Sequence, residues 1–450
     1  MTERVDVVVL GLGVGGEEVA GRLAEEGLEV VGIERGLVGG ECPYWGCVPS
    51  KMMIRAANLL AEARRIDGMS GHAEVTPDWA PVAQRIRQEA TDDWNDQVAV
   101  DRFTGRGGRF VRGRGRLVGP GVVEVDGERY EAGRAVVLAT GTVPAVPPIA
   151  GLSETPYWTN REAIEAKTLP DSLLVLGGGA VGLELAQAYA RFGVAVTVVE
   201  ALDRLLPAEE PESSTLAQSA LAADGITVRI GTRATAVAHD GDLFTVTAGG
   251  DLRAERLLVA VGRRADLAPL GVDSVGLEPG APAVSVDERM RAGERLWAVG
   301  DLTGHGAFTH MAMYQAGIAV RDILGQDGPP ADYRAVPRVT FTDPEIASVG
   351  LTEAQARDAG VRVAVGLAQV PSSARGWIHK AGNDGIIKLV ADAERDVLVG
   401  ATSAGPVGGE VLSALALAVH AEVPVDVLRH MIYAYPTFHR GIEDALRALG

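Results

Sequence analysis

The same strand–loop–helix–strand pattern occurs twice in this chain, and it constrains the fold more than any other feature. In residues 5–34 an apolar strand runs into the loop 11–16 (GLGVGG), and in residues 173–200 an equivalent strand runs into the loop 177–182 (GGGAVG). In such a G-x-G-x-x-G turn the first glycine permits the tight turn, the second admits a pyrophosphate and the third lets the helix pack closely on the strand. The two units therefore predict two dinucleotide sites, with these glycines in contact with the cofactors: Gly11, Gly13, Gly16, Gly177, Gly179 and Gly182.

Each of these units ends in an acidic residue, Glu34 in the first and Glu200 in the second. A carboxylate about 20 residues beyond the loop can accept hydrogen bonds from ribose hydroxyls. At Glu200 it would also repel a 2′-phosphate, and the nearest cation, Arg204, stands beside Asp203. Since a flavin and a nicotinamide commonly work together, we expect FAD at the first site and NADH, rather than NADPH, at the second.

Further apolar strands end in glycine or aspartate. The strand 135–139 runs into Thr140 and Gly141, 257–261 runs into Gly262, and 296–299 runs into Gly300 and Asp301. This is expected where a doubly wound sheet presents its C-terminal edge to a ligand. From about residue 336 the pattern is mixed, with an alternating strand at 386–390 and a helix at 409–423. The predicted fold class is α/β, with two dinucleotide-binding doubly wound domains and an α+β C-terminal domain.

Charge and cysteine content narrow the class of protein. The net charge of −18 argues against nucleic acid or an anionic membrane as a partner. No apolar run reaches the ~18 residues that span a bilayer, and the N-terminus enters a strand without a signal-peptide pattern. With only two cysteines, Cys42 and Cys47, neither a disulfide scaffold nor a cysteine zinc site is expected. We expect a cytoplasmic protein without a metal, in which a close cysteine pair is more often catalytic than structural.

The two cysteines follow the first unit directly, so their sulfurs should lie beside the flavin. Such a pair can form a disulfide that accepts two electrons, and a helix N-terminus lowers the pKa of a thiol there. The alternative is a small buried structural disulfide. Tyr44 and Trp45 between the cysteines either stack on a substrate or pack against a neighbouring helix.

The stretch 42–51 (CPYWGCVPSK) resembles the active site of the pyridine nucleotide–disulfide oxidoreductases, which include lipoamide dehydrogenase, glutathione reductase and mercuric reductase. The resemblance covers nearly the whole chain, including 139–142 (ATGT), 298–301 (AVGD) and 341–350. It implies a homodimer with an FAD-binding domain (1–150 and 265–334), an NAD(P)-binding domain (151–264) and an interface or dimerisation domain (335–450).

The resemblance also implies roles for single residues. Cys42 matches the interchange thiol that meets the substrate, and Cys47 matches the charge-transfer thiol against the flavin. Lys51 matches a lysine near flavin N5 that pairs with the acid at Glu184, and Asp301 matches an acid on the ribityl–phosphate arm. We expect further cofactor contacts from Arg35, Gly40, Gly113, Thr140, Gly141, Thr309, Val237 and Gly262.

The C-terminal stretch 435–440 (YPTFHR) departs from the family pattern. The disulfide reductases have a His-Pro-Thr motif with a glutamate five residues after the histidine, whereas this chain has Tyr435 and Arg440. Tyrosine is a poor base, so disulfide exchange should be slower by ~10²-fold. If Thr437 starts a helix, His439 is a possible substitute. The additional C-terminal cysteine pair of mercuric reductase has no counterpart, since the chain has no third cysteine.

These features predict an FAD-dependent oxidoreductase similar to dihydrolipoyl dehydrogenase. It would pass electrons from NADH through flavin to the Cys42–Cys47 disulfide and on to a small-molecule disulfide or related sulfur substrate. Two alternatives stay open. In one, the flavin reduces a quinone, a metal ion or oxygen and the cysteines are auxiliary. In the other, the chain is a redox-sensing dinucleotide-binding protein.

Overall fold

The computed structural model describes residues 2–449 and confirms the predicted mixed α/β class. The strands are β1 (Thr2–Leu10), β2 (Val30–Glu34), β3 (Arg109–Arg112), β4 (Arg116–Gly119), β5 (Val122–Val125), β6 (Glu128–Leu138), β7 (Val143–Pro144), β8 (Ser172–Leu176), β9 (Ala195–Val199), β10 (Thr227–Arg229), β11 (Ala236–His239), β12 (Phe244–Thr247), β13 (Asp251–Ala254), β14 (Arg256–Val259), β15 (Arg263–Arg264), β16 (Arg291–Gly293), β17 (Leu296–Ala298), β18 (Pro337–Thr340), β19 (Glu345–Gly350), β20 (Val363–Gln369), β21 (Ile386–Asp392) and β22 (Val397–Gly405). The α-helices are α1 (Val14–Glu25), α2 (Glu41–Tyr44), α3 (Cys47–Arg64), α4 (Ala80–Arg85), α5 (Gln97–Gly105), α6 (Asn160–Glu165), α7 (Ala180–Arg191), α8 (Pro211–Ala223), α9 (Thr309–Ile323), α10 (Glu353–Asp358), α11 (Ala374–His379), α12 (Gly408–His420), α13 (Val425–Arg429) and α14 (Gly441–Arg447).

The first compact unit comprises residues 2–49, 84–145 and 262–333. Its main sheet has the order β16-β17-β6-β1-β2-β3, in which β17, β6, β1, β2 and β3 are parallel and β16 is an antiparallel edge. The central strand β1 is buried on both faces, as the consecutive apolar residues 7–10 require. One face packs against a cluster that includes residues of α1 and α9, and the other packs against a cluster around Leu117 and Val123.

The second compact unit comprises residues 50–83, 146–261 and 334–449. It contains a parallel sheet of order β10-β9-β8-β14, a three-stranded antiparallel sheet of order β11-β12-β13 and a five-stranded antiparallel sheet of order β18-β19-β22-β21-β20. The second predicted glycine-loop unit is β8–α7–β9. Residues of α12 and α14 join the apolar cluster on the five-stranded sheet.

Two predicted elements end earlier in the structure than the sequence pattern suggests. The helix predicted over 409–423 is α12 and ends at His420, because Glu422 adopts a φ of +48° and Pro424 follows. The strand predicted over 257–261 is β14 and ends at Val259, shortly before Gly262, which takes a φ of +125°. In both cases apolar residues continue beyond the point where the backbone turns.

By compactness the chain divides into two units, and the predicted division into three domains stays a prediction. Each unit nevertheless contains one of the two predicted glycine-loop motifs. Within residues 2–449, no helix is both long and apolar enough to cross a membrane.

A buried ion cluster lies within the second unit, centred on Lys388 of β21. The Lys388 Nζ lies 3.0 Å from a carboxylate oxygen of Glu210, 2.9 Å from Glu212 and 2.9 Å from Glu353. Burial alone would lower the pKa of Lys388, but the hydrogen bonds to the three glutamates outweigh burial and raise it. The lysine is therefore charged in the folded state, and it links the start of α8 to the five-stranded sheet.

Candidate active site

The first glycine loop has the backbone geometry that a dinucleotide requires. Gly11 adopts a φ of +92°, and a Cβ placed on it would lie 2.6 Å from the Ala139 carbonyl oxygen. A Cβ on Gly16 would lie 1.9 Å from the Gly11 carbonyl oxygen. Only glycine fits at either position. The helix α1 begins immediately after the N-cap residue Gly13, so its first N–H groups point out of the loop end.

The Glu34 carboxylate closes this loop from the end of β2. Its Oε2 accepts a hydrogen bond from the Leu12 N–H at 2.8 Å, and its Oε1 accepts one from the Gly36 N–H at 2.6 Å. A carboxylate offers about four acceptor positions, so two remain for ribose hydroxyls. The donor set around the loop therefore fits the adenosine half of FAD.

A cleft in the first unit brings together many of the sequence-predicted residues. The lining residues that the sequence indicated are Gly11, Glu34, Arg35, Gly113, Thr140 and Gly141. The lining residues that it did not indicate include Arg114, Asp266, Pro269 and Leu270. The last three lie far along the chain from the glycine loop, so no local spacing marks them.

The second glycine loop, in the second unit, repeats this geometry. Gly177 adopts a φ of +111°, and a Cβ on it would lie 2.4 Å from the Ala260 carbonyl oxygen. The Glu200 Oε2 accepts from the Gly178 N–H at 2.6 Å, and its Oε1 accepts from the Leu202 N–H at 2.7 Å. In both units, therefore, the glutamate at the end of the motif's second strand accepts a hydrogen bond from the backbone N–H of the second loop residue.

Arg204, the cation nearest to Glu200 in the sequence, is occupied by internal hydrogen bonds. Its guanidinium donates to the carbonyl oxygens of Leu206, Pro207 and Glu209 and to the Ser214 Oγ, at 2.6–3.2 Å. These bonds hold the guanidinium on the segment that leads into α8.

Val237 and Gly262, which were also predicted to contact a cofactor, make backbone hydrogen bonds within their own units. Val237 lies in β11, where it is buried and its N–H donates to the Ala150 carbonyl oxygen at 2.8 Å. Gly262 belongs to the first unit, where its carbonyl oxygen accepts from the Ala145 N–H at 2.9 Å. The sequence marked Gly262 as the end of a strand and as an expected cofactor contact, and that contact stays a prediction.

The cysteine segment is docked directly on the first glycine loop. The Gly39 N–H donates to the Leu12 carbonyl oxygen at 2.7 Å, and a Cβ on Gly40 would lie 2.9 Å from the Gly13 Cα. Cys42 then lies in the short helix α2, and Cys47 begins α3. The two sulfurs are therefore carried by two consecutive helices that start beside the dinucleotide loop.

The two cysteines are thiols in the structure, with Cys42 half-buried and Cys47 exposed. A hydrogen bond with Cys47, together with burial, raises the pKa of the Cys42 thiol. On the other side, the Cys47 Sγ lies 3.3 Å from the Thr309 Oγ1. The surroundings of Cys42 thus favour its protonated form.

The aromatic residues between the cysteines differ in exposure. Tyr44 is buried in the first unit, which supports the packing interpretation for its ring. The Trp45 ring lies 5.9 Å from the Tyr44 ring and is partly exposed. Of the two, Trp45 is the aromatic side chain that a ligand can reach.

Lys51 and Glu184 form the ion pair that the sequence comparison implied, here within the second unit. The Lys51 Nζ donates to the Glu184 Oε2 at 2.8 Å, and the other carboxylate oxygen accepts from the Phe341 N–H at 2.8 Å. The Lys51 Nζ also lies 4.6 Å from the centroid of the Phe341 ring. Glu184 is buried, so both of its oxygens are held by defined donors.

Asp301 lies at the end of a hydrogen-bond chain that the sequence did not reveal. Its Oδ2 accepts from the Thr142 Oγ1 at 3.0 Å, and the Arg263 Nε donates to that same Oγ1 at 2.8 Å. Burial raises the pKa of Asp301, while the Thr142 hydroxyl acts in the opposite direction. In the sequence, Thr142 and Arg263 each stand just after the end of a predicted strand. Only the tertiary structure connects them to Asp301.

The C-terminal stretch shows where the helix that follows Pro436 begins. Thr437 does not begin a helix: its Oγ1 accepts from the Arg440 N–H at 3.2 Å in a turn, and α14 begins at Gly441. His439 lies in that turn, with its ring 5.2 Å from the ring of Tyr433. The Thr437 Oγ1 also donates to the Ala434 carbonyl oxygen at 2.8 Å, and the helical residues follow from Gly441.

Tyr435 and Arg440, which stand where the family has its histidine and glutamate, are in contact. The Arg440 guanidinium lies 5.2 Å from the centroid of the Tyr435 ring and 3.0 Å from the Glu443 carboxylate. Tyr435 is 68% exposed, so its ring is open to solvent in this chain. The two departures from the family pattern therefore occur together as one cation–π pair.

Comparison with known protein families identifies the family to which the chain belongs. Residues 5–316 match the pyridine nucleotide-disulphide oxidoreductase family, and residues 336–446 match the dimerisation domain of the same family. The chain is 34% identical to a dihydrolipoyl dehydrogenase from Thermus scotoductus over 464 residues, which is 99% of this chain and 97% of the relative. It is 35% identical to a mercuric reductase from Shigella flexneri, over 98% of this chain and 80% of the relative.

Solved structures agree with this assignment. LpdA from Mycobacterium tuberculosis superposes with a TM-score of 0.86 at 27% identity, covering 99% of both chains. The Cu(II) complex of the HOCl-induced flavoprotein disulfide reductase RclA from Escherichia coli superposes with a TM-score of 0.87 at 25% identity, also covering 99% of both chains. The chain therefore belongs to the pyridine nucleotide-disulphide oxidoreductases, flavoenzymes that use FAD and NAD(P)H, and it carries their dimerisation domain.

Proposed function

We propose that the protein transfers electrons from NADH through FAD to the Cys42–Cys47 pair and then to a small disulfide or related sulfur compound. The observation that carries this proposal is the docking of the cysteine segment on the first glycine loop, through the Gly39 N–H bond to Leu12 at 2.7 Å. Because a pyrophosphate binds at such a loop, the sulfurs are held on the domain that binds the flavin.

The residues that would hold FAD are those of the first loop and its cleft. Gly11, Gly13 and Gly16 would face the pyrophosphate, Glu34 the ribose, and Asp301 the ribityl–phosphate arm. When bound, FAD accepts a hydride from the nicotinamide and passes two electrons to a neighbouring disulfide. The contribution of the chain is to orient that cofactor and to hold the sulfurs and their proton.

The proposed sulfur chemistry balances as two exchanges. The hydride of NADH supplies two electrons that break the Cys42–Cys47 bond, and a solvent proton completes the dithiol. The Cys42 sulfur then attacks the substrate disulfide and releases one thiol. Cys47 next attacks the Cys42 sulfur, which restores the intramolecular disulfide and releases the second thiol.

Lys51 and Glu184 are proposed to supply a fixed positive charge toward the flavin. The Glu184 carboxylate is anchored by the Phe341 N–H and holds the Lys51 ammonium at 2.8 Å. A preorganised cation stabilises negative charge that develops during electron transfer. Since Glu184 is buried, it can fix the lysine without reorganising.

NADH is proposed as the reductant because of the groups at the end of β9. The Glu200 carboxylate is positioned at the second loop, where it would accept from a 2′-hydroxyl and repel a 2′-phosphate. Arg204 donates all its described hydrogen bonds to internal acceptors, so it is held away from that role.

We further propose that the enzyme works as a homodimer in the cytoplasm. The match to the family's dimerisation domain over residues 336–446 supports the dimer. A pair of reactive thiols with no additional cysteines in the chain suits a reducing compartment.

An anaerobic titration of the FAD-loaded protein with NADH tests the electron path. We expect the first two electrons to produce a long-wavelength absorption band while the flavin absorption persists, because they end on the sulfurs and leave a thiolate at Cys47. We also expect NADH to reduce the protein at least ~10-fold faster than NADPH, from the ribose contact at Glu200.

The parallel titration with NADPH is the control for nucleotide choice, and thiol counting after the first two electrons is the control for the sulfurs. If the flavin bleaches at once and no thiols appear, the cysteines are outside the electron path. Quinones, metal ions and oxygen would then be the acceptors to test. Equal rates with the two nucleotides would contradict the proposed role of Glu200.

A double substitution, Tyr435→His with Arg440→Glu, tests whether the missing base limits disulfide reduction. We expect reduction of lipoamide to rise by about 10-fold, because histidine can both take and give a proton near neutral pH. The added carboxylate would lie near Glu443, whose charge is already paired with Arg447. The measurement is kcat/KM with lipoamide across pH 6–9.

The single substitution Tyr435→Phe is the matched control, since it removes the hydroxyl without adding a base. It should not raise the rate. An unchanged rate in the double variant would mean that access to the cysteines, and not proton transfer, sets the limit.

A further inference from the structure

The turn that carries Asp301 is held by a buried glutamine of the first unit. Gln315 of α9 is 1% exposed, and its Oε1 accepts a hydrogen bond from the Gly300 N–H at 2.7 Å. A backbone N–H can only donate, so the oxygen end of the amide faces Gly300 and the nitrogen end faces away from it. The orientation of this amide is therefore fixed by its partners.

The nitrogen end of the same amide extends the network. The Gln315 Nε2 donates to the Thr303 Oγ1 and to the Tyr333 Oη, both at 3.0 Å. The Thr303 hydroxyl in turn donates to the Gly300 carbonyl oxygen at 2.8 Å. Both backbone polar groups of Gly300 are thus connected to Gln315, one directly and one through Thr303. Breaking this network would leave buried polar groups unpaired, so it holds the turn firmly.

Tyr333 connects the far side of the same loop to this network. Its ring stacks on the His305 ring, with the centroids 4.1 Å apart and the planes inclined by 7°. The 3-10 turn Asp301–Thr303 therefore lies between two contacts, one at Gly300 and one at His305. Both contacts lead to the hydrogen-bonded pair of Gln315 and Tyr333.

Local backbone preference does not fix the turn by itself. Gly300 adopts a φ of +85°, a conformation that glycine enters and leaves at little cost. The Asp301 Oδ2 accepts from the Thr142 Oγ1 at 3.0 Å. A carboxylate offers about four acceptor positions, so others remain for the hydroxyl groups of a ligand. Where those positions point depends on what holds the backbone at Gly300.

We propose that Gln315, together with Tyr333, is a positioning residue that preorganises Asp301 for the ribityl–phosphate arm of FAD. The inference rests on the proposed function only in placing Asp301 against that arm. Gln315 acts through the backbone of Gly300. Without its bond to Gly300, the turn would have to be ordered when FAD binds, and that cost would reduce the affinity for FAD.

The test measures how tightly the full-length protein, freed of FAD, takes FAD up again. Gln315→Met keeps the length of the side chain and removes both ends of the amide. We expect this variant to raise the dissociation constant of FAD, measured by quenching of flavin fluorescence, by at least ~10-fold. The inhibition constant of ADP as a competitor of FAD should change by less than about twofold. ADP has the groups expected at the glycine loop and at Glu34 but lacks the ribityl chain.

A double-mutant cycle shows whether Gln315 acts through Asp301. Asp301→Asn alone should weaken FAD binding by at least ~10-fold. Adding Gln315→Met should then weaken it by less than about a further twofold, because both changes remove the same contact. Tyr314→Phe is the matched control, since Tyr314 is the neighbouring residue on α9 and its hydroxyl accepts from the Asp332 N–H at 2.8 Å. This control should leave the FAD and ADP constants unchanged.

An unchanged FAD constant in Gln315→Met would overturn the proposal. Equal losses for FAD and ADP would also overturn it, because they would show a general disturbance of the first unit, and so would full additivity in the cycle. If Gln315→Met does not fold, as judged by circular dichroism, Tyr333→Phe takes its place with an expected ~3-fold loss of FAD affinity. That variant removes one partner of the amide and keeps the ring that stacks on His305.

The outcomes also separate this inference from the proposed function. Parental FAD affinity in Asp301→Asn would contradict the proposed contact of Asp301 with FAD, and the inference with it. A weakened Asp301→Asn beside an unchanged Gln315→Met would overturn the inference alone. The NADH titration reports the path of the electrons and not the affinity for FAD, so its failure would leave this test decisive.

Discussion

Replacement of Cys42 with serine is expected to lower NADH-dependent reduction of lipoamide by ~10³-fold or more. Cys42 is the sulfur proposed to attack the substrate, and a serine hydroxyl at that position cannot form or exchange a disulfide. The steady-state rate with lipoamide and the rate with ferricyanide, which takes electrons directly from flavin, are measured on the same preparation. The ferricyanide rate should stay within about threefold of the parent, since the flavin site is unchanged.

The same variant makes a spectroscopic prediction. With no disulfide possible, Cys47 should be a thiolate without any reductant, and the long-wavelength band should be present in the resting protein. A variant that keeps its rate with lipoamide would show that the cysteines are auxiliary. It would then support direct reduction of the acceptor by the flavin.

Replacement of Lys388 with methionine is expected to destabilise the protein by about 3–5 kcal/mol, because it leaves the buried Glu210 carboxylate without its cation. Lys388 and Glu210 each have 3% of their side chains exposed, and Glu212 and Glu353 converge on the same ammonium group. At roughly 2–4 °C per kcal/mol for a domain of this size, the melting midpoint should fall by ~10 °C. Differential scanning calorimetry of the FAD-loaded protein measures that shift.

An exposed ion pair in the same unit supplies the control. Arg253 pairs with Asp240 at 3.0 Å, and their side chains are 58% and 55% exposed. Arg253→Met should change the stability by less than about 1 kcal/mol, because solvent screens such a pair. Equal shifts in the melting midpoint for the two variants would show that the Lys388 cluster contributes no more than a surface pair.

The elements that the sequence predicted well are those in which local pattern and tertiary environment agree. Both glycine loops, with their flanking strands and helices, occur as expected, because the required φ angles and close approaches admit only glycine at Gly11 and Gly177. The Lys51–Glu184 pair, implied by family resemblance, is present at 2.8 Å. The cofactor roles themselves stay predictions for the titrations and substitutions described above.

The sequence leaves open whether a helix starts at Thr437, and the tertiary structure decides this. A threonine after a proline is a reasonable capping residue, but here its hydroxyl closes a single turn and the helix starts four residues later, at Gly441. Capping preferences are worth about 1 kcal/mol, which neighbouring packing readily exceeds. The His439 ring accordingly packs beside Tyr433, in a turn and not on a helix.

By itself, the sequence determined the fold class, the two dinucleotide loops with their acids and the reactive cysteine pair, because each depends on residues that are close together along the chain. Only the tertiary structure decided the environment of those residues. Thr309 reaches Cys47 from 262 positions away, Arg263 reaches Thr142 from 121, and Glu210 reaches Lys388 from 178. Such contacts leave no periodicity or spacing in the sequence, since they arise from the order in which strands pair and helices pack. The surroundings of the two sulfurs depend on such contacts and therefore on the fold.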